Sequence, residues 1–154
     1  MIKFNSNSLR GILILAGISV ANFCSAQLSG TYTIDTTKTA SKTNYSNFSS
    51  AVSDLDSGIR SDGGTPNGKG VKGPVVFNVA DGTYNDNIIF GYVKGSSSKN
   101  TVTFQGMHGD TSFIQFSLSG GFQFDSANYY TVKNLGNYMA NETRENALLK
   151  GCQF

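Results

Sequence analysis

An all-β chain built by repetition, with one helix near its start, is what the sequence predicts. Two observations carry this. After residue 70 the apolar residues come in short apolar–polar–apolar units: Val102-Thr103-Phe104, Ile114-Gln115-Phe116, Phe122-Gln123-Phe124 and Cys152-Gln153-Phe154. Alternation with period 2 puts the outer members of each unit on one face of a strand. Only one segment, Phe48, Ala51, Val52 and Leu55, shows the i, i+3, i+4, i+7 spacing of a helix face.

Met1 to Ala26 reads as a secretory signal. Lys3 and Arg10 give a positive start, Gly11 to Phe23 is apolar, and Cys24-Ser25-Ala26 offers small residues for cleavage. The apolar run is shorter than the roughly 20 residues that span a bilayer. Phe23 is too bulky to precede a lipid-bearing Cys24. Cleavage after Ala26 leaves 128 of the 154 residues, beginning at Gln27, and predicts an exported protein, extracellular or at the cell surface, with no membrane span. It also reduces twelve basic residues to ten, against ten acidic ones. A chain without net charge or a basic patch argues against nucleic acid as partner. Cys152 becomes the only thiol, so no intrachain disulfide forms, and it reads as a small buried hydrophobe.

Taken in order, Gln27 to Ile34 alternates around Tyr32 and Ile34 and predicts a strand. Asp35 to Thr43 is a polar connection. The helix follows, near Ser46 to Asp56, with Ser46 or Asn47 to cap its start and Gly58 to end it. Arg60 to Gly73 is Gly-rich with Val71 as its only apolar member, which predicts an exposed loop. Gly63 to Gly70 nearly matches the phosphate-binding pattern GxxxxGK[ST], but Gly70 supplies no hydroxyl for magnesium and Gly73-Pro74 leaves no room for the helix that would cradle phosphate. The match is read as chance. Val75 to Val79 then forms a strand that Pro74 can only open. Asp81-Gly82 turns, and Thr83-Tyr84 leads to Ile88, Ile89 and Phe90. Beyond Phe90, two interleaved series mark a stacked repeat. Val79, Phe104, Phe124 and Leu149 are 25, 20 and 25 residues apart; Phe90, Phe116, Leu135 and Phe154 are 26, 19 and 19 apart. Ordinary sandwich strands with irregular loops are the alternative.

Gly30-Thr31-Tyr32-Thr33-Ile34, Ala51-Val52-Ser53-Asp54-Leu55, Gly73-Pro74-Val75-Val76-Phe77-Asn78-Val79, Gly82-Thr83-Tyr84-Asn85, Asn100 to Gln105 and Gly109-Asp110 occur in that order. Over residues 28 to 135 the chain therefore resembles the N-terminal region of large secreted Bacteroidota proteins with a right-handed parallel β-helix of the pectin-lyase type. The resemblance implies such a β-helix from residue 73 to 154, preceded over residues 27 to 72 by a strand, a helix capping its open end, and a loop. It also implies a chain truncated within a coil, a fragment of a larger protein.

That superfamily includes polysaccharide lyases, hydrolases and pectin methylesterases. Gly82-Thr83-Tyr84-Asn85-Asp86 looks like the esterases' first GxYxE element with Asp86 in the glutamate's place, but the later elements have no match. Lyase chemistry needs clustered carboxylates for calcium and a base, whereas Asp81, Asp86, Asp110, Asp125, Glu142 and Glu145 stand singly. Arg144 lies between Glu142 and Glu145 in a polar segment and reads as solvated. His108, the only histidine, reads as part of a turn and has no partner for a metal. No catalytic residue, metal or cofactor is predicted. Tyr129, Tyr130 and Tyr138 are the candidate glycan contacts, because tyrosine offers a flat apolar face with a polar tip. Asp35-Thr36-Thr37 and Asp125-Ser126-Ala127 look like short O-glycosylation sites of Bacteroidota periplasmic proteins. The expected function is a non-catalytic surface or extracellular module: structural, adhesive or glycan-contacting, with extracellular polysaccharide or other surface proteins as partners. The alternative is the N-terminal piece of a pectin-lyase-like polysaccharide lyase or esterase.

Overall fold

The computed structural model describes residues 27–117, 121–136, 139–143 and 148–150. The signal segment 1–26, Tyr138, Arg144, Glu145 and Cys152, each given a reading above, lie outside them, as does the side chain of Glu142. Eleven strands and one helix follow the described chain: β1 Leu28–Ile34, β2 Asn44–Tyr45, α1 Phe48–Ser57, β3 Val71–Val79, β4 Gly82–Tyr84, β5 Asn87–Phe90, β6 Val102–Gly106, β7 Ile114–Phe116, β8 Gly121–Asp125, β9 Tyr130–Lys133, β10 Met139–Thr143 and β11 Leu148–Lys150.

Among the described residues all the strand pairs are parallel, and they form three sheets. The largest has the order β11-β9-β6-β3-β1-β2; the others are β10-β8-β5 and β4-β7. Between β3 and β8 the chain visits the six-, two- and three-stranded sheets in that order, twice. A sandwich of antiparallel hairpins, the alternative open in the sequence, is therefore absent from the described residues.

Period-2 patterning decides what faces inward. In β3 the side chains of Val75, Phe77 and Val79 are fully buried, and in β6 so are those of Val102 and Phe104. In-register pairing then stacks like on like: Phe77 lies opposite Phe104, which lies opposite Val132. The rings of Phe77 and Phe104 stack with centroids 4.6 Å apart, and those of Phe90 and Phe124 at 5.1 Å. Each buried phenylalanine contributes about 1.5–3 kcal/mol of transfer free energy.

The two series read from the sequence mix strands of different sheets; of the first, only Phe104 and Leu149 share a stack. Val79 pairs with Gly106 and Phe104 with Phe77, while Phe124 belongs to another sheet and pairs with Phe90. The stacked series of the large sheet is Phe77, Phe104, Val132 and Leu149. Loops of unequal length between strands change the spacing without disturbing the stack, so spacing alone could not choose the members.

Helix α1 forms where its ends are capped. Asn47 holds an extended backbone and its side chain accepts a hydrogen bond from the Ser50 amide at 2.8 Å. Gly58, at φ 70°, ends the helix, and its amide donates to the Asp54 carbonyl. The ring of Phe48 meets Tyr84, Phe104, Phe116 and Phe122, at centroid distances of 5.1, 5.9, 5.4 and 5.7 Å. These residues come from all three sheets.

The loop from Arg60 to Lys72 is not simply exposed, a second correction. Arg60 is buried, with its guanidinium 3.8 Å from the Tyr45 ring centroid. It donates to both oxygens of Asp62 and to the carbonyls of Ser41, Asn44 and Thr65. Burial pushes the Asp62 carboxyl up, but hydrogen bonds from Arg60 and from the Ser46 and Gly64 amides outweigh it and hold it below the usual range. Asn67 is buried as well. Its side chain donates to the Lys42 carbonyl at 2.8 Å, which ties the loop to the connection before α1. From Val71 the chain is already strand.

Candidate functional site

The carboxylates are the first place to look for chemistry, and most of those described have structural partners. Asp86, which the sequence resemblance would set in an esterase glutamate's place, reaches the start of α1. It accepts from the amides of Phe48 and Ser49 at 3.4 and 3.3 Å and from the Ser49 hydroxyl at 2.6 Å. A carboxylate there satisfies amides that have no partner inside the helix and complements the helix dipole.

Asp54 is fully buried and accepts from Tyr45 Oη at 2.7 Å and from the amides of Asn67 and Gly68. Those two amides belong to the stretch that imitates a phosphate-binding loop. What they hold is the carboxyl of the protein's own Asp54. Asp35 accepts from the amide and hydroxyl of Thr37 and pairs with Lys38 at 2.8 Å. Those hydrogen bonds, Lys38's foremost, lower its pKa to about 2. Asp110 accepts from the amide and hydroxyl of Ser112, which holds its carboxyl below the usual value and caps the short 3-10 turn Thr111–Phe113.

One titratable pair was missed in the sequence. His108 Nδ1 lies 2.9 Å from Asp81 Oδ1. The sheet register creates this contact: Val79 lies opposite Gly106, so the residues two positions further on meet above the strand ends. A carboxyl beside one imidazole nitrogen is the arrangement that orients a histidine base. The Phe113 ring lies 5.7 Å from the imidazole. Yet the two side chains are 61% and 43% exposed, so water screens the pair. No group of three metal-ligating side chains occurs among the described residues.

Of the three candidate tyrosines, Tyr129 and Tyr130 lie among the described residues, and they part company. Tyr130 is 2% exposed, and its ring packs on Phe90 at 5.0 Å and Phe104 at 6.4 Å. It is a core residue and has no ring face for a sugar, a correction to the sequence reading. Tyr129 is 45% exposed at the turn before β9. Tyr92, overlooked because it lies in a Gly/Ser loop without alternation, is 64% exposed. Of the two suggested modification sites, Thr37 and Ser126 both donate to the aspartate of their own triplet, at 2.6 and 3.3 Å. Among the described residues no helix is long and apolar enough to cross a membrane.

Compared with models of known protein families, with curated proteins and with solved structures, the chain shows no match.

Proposed function

We propose that this chain is an exported, non-catalytic module with a right-handed parallel β-helix of the pectin-lyase-like type. It works at the cell surface or outside the cell as a structural, adhesive or glycan-contacting element. Wholly parallel pairing, three sheets visited in a repeating order and an inward stack of aromatic rings support the coiled architecture. The observation that carries the functional reading is the engagement of Asp86. The carboxylate standing where an esterase would place a catalytic group is fixed on the N-terminus of α1. Asp35, Asp54, Asp62 and Asp110 are likewise held by turns and buried hydrogen bonds, so none is free to act as a base or to gather calcium.

The purified secreted chain is therefore expected to release neither unsaturated product nor methanol from pectin or polygalacturonate, with or without calcium. Turnover above the buffer blank that disappears in Asp81→Asn or His108→Ala would overturn the reading and make the Asp81–His108 pair a working base.

A further inference from the structure

We propose that the corner where the three-stranded sheet passes into the six-stranded one is a carbohydrate-contacting surface. Tyr92 and Tyr129 are its stacking platforms for the pyranose rings of a polysaccharide. The proposal rests on the reading of the chain as an exported module and supplies the place and the chemistry of its contact.

The register builds the corner. Strands β5 and β8 pair with Phe90 opposite Phe124, so the turn after β5 lies on the turn after β8. A β-carbon placed on Gly91 would stand 3.9 Å from the Asp125 carbonyl oxygen. Both turns dip inward through a small apolar residue, Val93 in one and Ala127 in the other, each fully buried. These anchors leave Tyr92 and Tyr129 outside on successive passages of the chain, 64% and 45% exposed. The turn holding Tyr129 is fixed at its far end, where the Val102 amide donates to the Tyr129 carbonyl at 3.0 Å and Tyr130 enters the core.

Tyr129 has a left-handed backbone, φ 63°. An L side chain there brings its β-carbon against the following carbonyl, and for a bulky residue the conformation is a genuine outlier. Among the described residues eleven have positive φ. Eight are glycines and one is asparagine, the types that tolerate it; the other two, Ser126 and Tyr129, lie in this turn. Tyr129 is the one aromatic among them. A turn shaped only for folding is best served by glycine at this place, and a ring required for packing would be buried. Neither applies to Tyr129, which points to a use for its exposed ring, since strained backbone is retained where function fixes it.

The surroundings have the matching polarity. Asn128 Nδ2 donates to the Ser126 carbonyl at 3.3 Å and Asn100 Nδ2 to the Gly95 carbonyl at 3.1 Å. Each amide is thereby oriented, with its oxygen remaining as an acceptor for a hydroxyl. A flat apolar ring with a polar tip beside fixed amides fits a sugar ring, apolar on its C–H face and hydroxylated at its rim. Asp125 and Lys94 are both exposed near the corner, so charge there does not choose between neutral and uronate chains.

Affinity electrophoresis of the full secreted chain through gels containing xyloglucan, galactomannan, laminarin or polygalacturonate tests this, with reducing ends and melting temperature measured on the same samples. The wild type is expected to be retarded by at least one polysaccharide, and the neutral and uronate gels separate the two sources of the ring. Tyr92→Ser and Tyr129→Gly should each weaken that retardation by about tenfold in Kd. Tyr129→Gly removes the backbone strain, so its melting temperature should hold or rise while binding falls. A fall in melting temperature in Tyr129→Gly would make the ring structural and overturn the proposal, as would unchanged retardation in both variants. A wild type retarded by none of the four also overturns it, without touching the non-catalytic reading. That reading fails separately, on release of reducing ends.

Discussion

Asp86 lies two residues beyond β4, directly before β5, and its carboxylate joins the first triplet of strands to a helix nearly forty positions earlier in the chain. Asn47 already satisfies the Ser50 amide, so the two side chains divide the unpaired amides at the start of α1 between them. Replacing Asp86 by alanine removes the charge at the dipole's positive end together with three hydrogen bonds. A loss of about 1–2 kcal/mol is expected, in the range of other cap deletions. Asp86→Asn, which keeps an acceptor but not the charge, should lose less. Urea unfolding of the three proteins at neutral pH measures this, and an Asp86→Ala variant as stable as the parent would show that water replaces the carboxylate without cost.

Asp56 behaves in the opposite way. Its Oδ1 is buried with no hydrogen-bond partner among the described residues, and burial pushes its carboxyl above the usual value, with Lys69 pulling it only partly back. A carboxyl whose pKa is raised by folding favours the folded state when it is protonated. That contribution is complete below the unfolded pKa, near 3.9, and is lost as pH rises through the raised folded value. At neutral pH the ionised group therefore costs stability. Asp56→Asn is expected to gain about 1 kcal/mol at pH 7, the scale of an unsatisfied buried polar group, and to gain little at pH 3. Thermal unfolding at the two pH values decides it; an equal effect at both would mean that the charge is not the cause.

At the scale of elements, α1, β1 and the strands β3 to β8 were legible because each depends on local pattern, whereas β9 was not. The caps Asn47 and Gly58 and the period-3.6 face lie within a dozen residues, and the inward positions of β3 and β6 alternate as the sequence alternates. What joins elements was not legible. Arg60 looks like an ordinary loop arginine until Tyr45, Asp62 and three carbonyls converge on it, from as far as nineteen positions away in sequence. The Asp81–His108 pair depends on a register in which residues 27 apart are neighbours, and that register is fixed by loop lengths that no periodicity records. Tyr92 failed to stand out, and Tyr130 stood out wrongly beside Tyr129, because one residue's shift along a strand start exchanges core for solvent. The sequence shows a pair of tyrosines at 129 and 130, and only the turn decides which of them faces out.

At the scale of the whole molecule, Phe48 is the residue through which the helix and the three sheets share a core. Its ring lies between Tyr84 of β4, Phe104 of β6, Phe116 of β7 and Phe122 of β8, and it is fully buried. Stacked parallel architectures gain stability mainly from neighbour-on-neighbour contacts and can therefore lose one end while keeping the rest. A ring shared by all three sheets opposes that, because withdrawing the helix opens the core of each. Phe48→Ala should cost about 3–5 kcal/mol, the range for a large ring removed from a packed core. Ile89→Ser, on an outward position of β5 that is 52% exposed, should change stability by no more than about 0.5 kcal/mol. The sharper expectation concerns cooperativity. Near-ultraviolet circular dichroism reports the aromatic core and far-ultraviolet the strands, and in the parent the two should follow one urea transition. In Phe48→Ala the aromatic signal should be lost at lower urea than the strand signal, as the helix end loosens before the outer strands separate. If the two transitions of the variant still coincide, Phe48 adds stability but does not couple the sheets, and the cooperative link must be sought in the Phe77–Phe104 stack instead.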